Sequence, residues 1–519
     1  PEDVAEKVVV TEGGFTEQQR SYWFFQPVKK VTPPQVGEGW ACNDIDRFIA
    51  EKRDVLKLTA APEADRQELV RRVYFDLHGL PPTKDQIDAF VNDKDPRAYE
   101  TLIDNLLASP RYGERWAQHW LDLVRYAESD GYNQDAYRSF VWPYRDYVSQ
   151  SFNDDKPYDR FVREQLAGDE FAPNDPDVLI ATAFLRHPVY EYNLRDVRGQ
   201  WDLILTDITD TTGELFLGLS MGCARCHNHK FDPILQKDYY RLRAFFTPVH
   251  WRDDLKLATP AQKATFDEQQ ARWEAATAEI RAKMDALTEP EIDKRVKIWR
   301  ESFTEDLQAM TLKPAEERAA LEKQLGGLCD RQLDFARASF DPMKDLKSEQ
   351  AKAEYKALKE ALNKFDDLKP KPLPEAFVAT DGGPDAPSNL LNTRKGGQDI
   401  PPGFLSIVDS RPPNITPTKT STGRRTALAE WITRADNPLA SRVIVNRVWQ
   451  YHFGRGIVSS ASEFGTLGEP PSHPELLDYL TAKFVAGGWH FKALHREIML
   501  SATYRQTARR EPDEAIAKV

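Results

Sequence analysis

The 519-residue chain is poor in sulfur, with four cysteines and five methionines, too few for a disulfide-stapled scaffold or a methionine-rich docking surface. It also lacks any uncharged apolar run near the ~18 residues that a membrane-spanning helix needs. No basic block is present, and 82 acidic residues against 70 basic ones give a net charge of -12, which argues against binding nucleic acid through its phosphates. Residues 1–12 show no basic segment followed by an apolar stretch, so no secretion signal is legible there, as in a processed chain. What remains is an ordinary globular composition, 40% hydrophobic and 29% charged. At about 100–200 residues per domain the length allows roughly two to four domains.

Periodicity points to a mainly α, multidomain protein with long irregular loops. A proline-bearing stretch over residues 1–42 reads as an extended strap, with Pro27, Pro33 and Pro34 breaking any helical period. Residues 43–255 read as a helical body, with helices expected to open at Asp44 and to cover 65–77, 84–92, 98–107, 112–127, 143–152 and 158–167. Over 256–369 the chain is rich in Ala, Glu, Lys, Gln and Leu, which predicts an inserted helical hairpin or small bundle. No strict heptad persists there, so a buttress is the simpler reading than a partner-binding coiled coil. A Pro/Gly-rich linker over 370–422 leads to a C-terminal helical domain over 423–519.

The most informative local pattern is Cys223-Ala224-Arg225-Cys226-His227. Two thiols three positions apart can each add to one vinyl group of a porphyrin, and the adjacent imidazole then lies under the iron as proximal ligand. The expectation is one covalent haem c, with Cys223, Cys226 and His227 as attachment and ligand residues. A zinc site built from Cys223, Cys226, His227 and His229 is the rival reading, although adjacent Cys-His and a one-residue His spacing suit tetrahedral closure poorly. Thioether attachment occurs outside the bacterial cytoplasm, so the motif implies a periplasmic or otherwise exported protein. In that compartment Cys42 and Cys329 are free to pair, a question that sequence leaves open. The distal haem ligand is open too: Met221 lies too near the attachment site, and the candidates are His119, His187, His229, His250 and His452.

Chemistry beyond the haem is less defined. On a helix over 112–127, His119, Asp122 and Arg125 come together, so His119 or Asp122 can act as base and Arg125 can orient a substrate hydroxyl. The same residues also suit a core helix with an internal ion pair. Asn446, Arg447, Trp449 and His452 form a second polar group, and Trp142, Tyr144 and Tyr190 are candidates for stacking on sugar rings. Polar-aromatic loops at 130–135 and 191–193 are reasonable places for recognition.

Several segments resemble the planctomycete cytochrome-associated two-domain proteins. They include Trp23-Phe24-Phe25-Gln26-Pro27-Val28, Tyr74-Phe75-Asp76-Leu77-His78-Gly79-Leu80-Pro81-Pro82 and the stretch from Cys223 through His227-Asn228-His229-Lys230-Phe231-Asp232-Pro233. A second group comprises Asn446-Arg447-Val448-Trp449, His452-Phe453-Gly454-Arg455-Gly456, Leu494-His495-Arg496 and Ser501-Ala502-Thr503-Tyr504-Arg505-Gln506. The resemblance implies an exported protein built from a pair of domains of unknown function, often accompanied by a further cytochrome domain and encoded beside polysaccharide-degrading enzymes. The resulting expectation is a haem-dependent oxidoreductase acting on a carbohydrate-like substrate. The alternatives are a noncatalytic electron-transfer module paired with another cytochrome domain, or a carbohydrate-binding scaffold with structural haem.

Overall fold

The computed structural model describes residues 14–508, apart from 133, 193–194 and 394–395. The segment read for a secretion signal, and Asn133 and Asn193 of the polar-aromatic loops, lie outside the described residues. The chain is 57% helical and 5% strand, a mainly α protein.

Helix starts are chemically marked. Asn43, Asp65 and Thr83 each accept a backbone N–H in the first turn of the helices Asp44–Val55, Arg66–His78 and Lys84–Asn92. Gly79 ends the second of these in the left-handed region. Helices Ala98–Ala108, Pro110–Leu123, Trp142–Asn153, Tyr158–Phe171 and Val197–Thr212 complete the first body. The helix expected over 112–127 stops at Leu123, because Arg125 turns into the left-handed region at φ 58°. Arg125 therefore leaves the helix that was to align it with His119 and Asp122.

The insertion is built on a 42-residue helix, Pro260–Glu301, against which Ala320–Ala338 and Glu349–Asn363 pack. The 370–422 segment is not wholly irregular: Glu375–Asp381 pairs antiparallel with Val249–Lys256, so the linker supplies one strand of a small sheet on the helical body. Leu390–Thr393 and Gly396–Asp399 form a second pair.

The two ends of the chain are interleaved. Phe24, fully buried in the strap, packs on Phe464 with ring centroids 4.8 Å apart, and Arg442 donates to the Gln26 carbonyl at 2.7 Å. Ala64 donates to the Arg505 carbonyl, and one continuous apolar core runs through the N-terminal helices and Arg424–Ile432, Ala440–Phe453, Pro474–Ala486 and Phe491–Met499. Among the described residues, no helix is long and apolar enough to cross a membrane.

Candidate functional site

Helix Val197–Thr212 runs into a single π turn, Gly213–Leu217, which ends at Gly218 with φ 61°. A Cβ there would lie 2.7 Å from Val443 and 3.0 Å from Phe464, so both the backbone conformation and the close approach of helix Ala440–Phe453 and the loop after it require glycine. The carbonyls left at this helix end are taken by Arg447, which is 1% exposed and donates to Leu215 and, at 2.9 Å, to Glu214. A cation at a helix C-terminus also suits the macrodipole. The 3-10 turn Met221–Arg225 follows and carries the first thiol.

This turn is held from the C-terminal side of the chain. Ser220 N–H donates to Glu463 at 3.2 Å, Phe464 N–H donates to the Gly218 carbonyl at 2.8 Å, and Thr466 donates twice to Asp232 at 2.7 and 2.9 Å. Asp232 N–H in turn donates to His229 Nδ1 at 2.9 Å. Asn228 and the Arg225 carbonyl both accept from Gln236, at 2.9 and 3.0 Å.

On that fixed turn Cys223, Cys226 and His227 are all exposed, and neither thiol is in a disulfide. His227 Nδ1 lies 2.7 Å from the Asn228 carbonyl. That contact requires Nδ1 to carry the proton, which leaves Nε2 with the bare lone pair that an iron needs. His229 faces inward, 4% exposed and engaged with Asp232, so it does not join the thiols. Among the described residues, no group of three or more His, Cys, Asp or Glu side chains is arranged to hold a metal ion. His229 is thus turned away from Cys223, Cys226 and His227, while His227 Nε2 is left available as a ligand atom.

Beneath the turn, Asp210 lies where a Cβ on Gly222 would come within 3.2 Å of its carboxylate. Burial raises the Asp210 carboxyl to about 6. The buried Tyr239 hydroxyl is a hydrogen-bond neighbour of both Asp210 and Thr206.

The other distal candidates lie inside the fold. His119 stacks on Tyr451 with centroids 3.8 Å apart, and burial lowers it to about 4. His187 lies 2.9 Å from the Val124 carbonyl and is pushed by burial to about 3. His250 sits on the strand Val249–Lys256, lowered to about 4 by burial. His452 Nε2 meets His495 Nδ1 at 2.9 Å, while its Nδ1 lies 3.4 Å from Asp76, whose carboxylate also accepts from Tyr504 at 2.6 Å.

The structure does not assemble His119, Asp122 and Arg125. Asp122 is exposed, and Arg125 pairs with Asp207 of the neighbouring helix. In the second polar group, Asn446 exchanges hydrogen bonds with the Val458 backbone and Trp449 stacks on Phe453 at 4.3 Å, so both serve packing. Tyr144 and Tyr190 are core residues at 1% and 2% exposure, whereas Trp142, Tyr132 and Tyr137 are exposed. The Asp76–His452–His495 chain was not foreseen. Its members lie in segments quoted for the resemblance, but nothing local in the sequence pairs them.

Residues 44–251 match the family described as PSCyt2, a protein of unknown function (DUF1549), and residues 424–518 match PSD1, a protein of unknown function (DUF1553). The chain thus carries a domain pair often seen in planctomycete proteins. No curated protein and no solved structure matches it.

Proposed function

We propose that the chain is an exported monohaem c-type redox protein, with haem attached to Cys223 and Cys226 and His227 as proximal ligand. The observation that carries this reading is one exposed, braced turn bearing two unpaired thiols and an imidazole with its Nδ1 held by a carbonyl. Bound haem c supplies one-electron redox chemistry. The chain's own residues orient it: Asn228 fixes the His227 tautomer, and Glu463, Thr466 and Arg447 hold the turn. Thioether formation places the protein outside the cytoplasm.

Exposure of both thiols favours electron exchange with a protein partner, such as a further cytochrome domain, since haem attached there would lie at the surface that a partner can reach. A second use, oxidation of a carbohydrate-like substrate, is favoured by the exposed aromatic side chains Tyr132, Tyr137 and Trp142.

The test is expression in a host that matures c-type cytochromes. The purified chain is expected to show a Soret band and haem that survives denaturing extraction, and Cys223→Ser with Cys226→Ser to lose both. Absence of covalent haem from the parent chain sinks the proposal. Rapid reduction by a small cytochrome with no reduction by a sugar panel favours relay, and the reverse favours substrate oxidation.

A further inference from the structure

A cavity of about 740 Å³ lies between the helix Ala98–Ala108 and the helices Pro474–Ala486 and Phe491–Met499, with Cys42 and Arg505 in its wall. It is of the size that small-molecule sites use and lies at a junction of the two matched domains, a favoured place for them. Its wall has two characters. Tyr99, Leu480, Phe484 and Leu494 give an apolar surface. Arg97, Lys483, Arg496 and Arg505 supply cationic groups in a protein of net charge -12.

The pairing of these cations shows what is left for a ligand. Lys483 is held by Glu497 at 2.6 Å, and Arg496 by Asp104 at 2.8 Å and Glu100 at 3.4 Å. Arg505 pairs with Glu63 and reaches Cys42 Sγ at 3.8 Å, but its buried Nε has no partner. Arg97 is exposed, and among the described residues no side-chain hydrogen bond or ion pair engages its guanidinium. The Arg97 guanidinium and the Arg505 Nε are the donors left over, so a fitting ligand brings acceptors and negative charge at one end and hydrocarbon at the other.

We propose that this cavity binds a small amphiphilic organic carboxylate, its head group toward Arg97 and Arg505 and its hydrocarbon on Leu480, Phe484 and Leu494. The proposal is independent of the haem. Cys42 provides the readout, since it is an exposed free thiol in the cavity wall.

Octanoate is the probe. N-ethylmaleimide modification of the full chain is followed by peptide mass spectrometry, which separates Cys42 from the other thiols. Saturating octanoate is expected to slow Cys42 modification about tenfold, with octan-1-ol and octylammonium much weaker. Arg97→Ala, at an exposed side chain, is expected to raise the half-protecting octanoate concentration about tenfold. Ala493→Trp fills the cavity and is expected to abolish protection, with circular dichroism confirming that the variant is folded. If that variant does not fold, the Arg97→Ala comparison decides alone. No protection by octanoate, equal protection by octylammonium, or undiminished protection in Arg97→Ala overturns the proposal.

Discussion

At the scale of single residues, the haem-motif turn depends on groups that are costly to leave unpaired. Arg447 is buried without a carboxylate on its guanidinium, and its role is to satisfy the Leu215 and Glu214 carbonyls. Arg447→Met strands both acceptors, at about 1–3 kcal/mol for each buried group. The expected result is a lower urea midpoint with an unchanged slope. Asp210 tests the same region through pH. Its carboxyl is raised by burial to about 6 from an ordinary value of 3.8, so its favourable contribution is full below the ordinary value and lost as pH rises through about 6. Asp210→Asn should therefore match the parent in thermal stability near pH 4 and exceed it near pH 8. Equal melting temperatures at pH 8 would refute that assignment.

At the scale of elements, the decisive contact is the packing of helix Ala440–Phe453 against the π turn, where Gly218 permits the approach. Gly218→Ala combines an unfavourable left-handed φ, about 1–2 kcal/mol, with a clash against Val443. Hydrogen exchange should rise across 213–236 more than in the distant helix Pro260–Glu301; uniform change would contradict a local brace. Which elements were legible follows from where their determinants lie. Helices with capping side chains at Asn43, Asp65 and Thr83 read correctly because the signal is local. The end of Pro110–Leu123 did not, since an arginine, not a glycine, takes the left-handed position after it. Strand Val249–Lys256 was hidden because Arg252, Asp253 and Asp254 break its alternation, where the pairing register also shifts. The Cys223–His227 motif was legible as a contiguous pattern. Its supports at Arg447, Glu463 and Thr466 were not, being more than 200 positions away in sequence.

At the scale of the whole molecule, three parts of the chain converge on one fully buried guanidinium. Arg425 makes a bidentate pair with Asp169 at 2.7 Å, contacts Asp381 at 2.6 Å and lies 3.4 Å from Glu170. The helical body, the linker strand and the C-terminal domain are thereby joined at a single point. Three carboxylates cannot all be balanced by one cation in a buried site. Asp381 is held below the ordinary carboxylate range: burial opposes this, but Arg425 and hydrogen bonds from Ser421 and Thr422 outweigh it. Glu170 moves the other way, to about 7, through burial and the neighbouring Asp381 and Asp169 carboxylates. A raised carboxyl binds its proton more tightly in the folded chain, so its contribution to stability is full below about pH 4.5 and disappears as pH rises through about 7. Glu170→Gln keeps the shape and an acceptor for one of the two N–H groups that Glu170 holds, those of Arg425 and Thr426, while removing that titration. Its unfolding free energy should vary less steeply between pH 5 and 8 than the parent's, and the difference between the two should grow in the variant's favour with pH. If the two pH profiles run parallel, Glu170 is already ionised at pH 5 and the junction carries more negative charge than Arg425 alone balances.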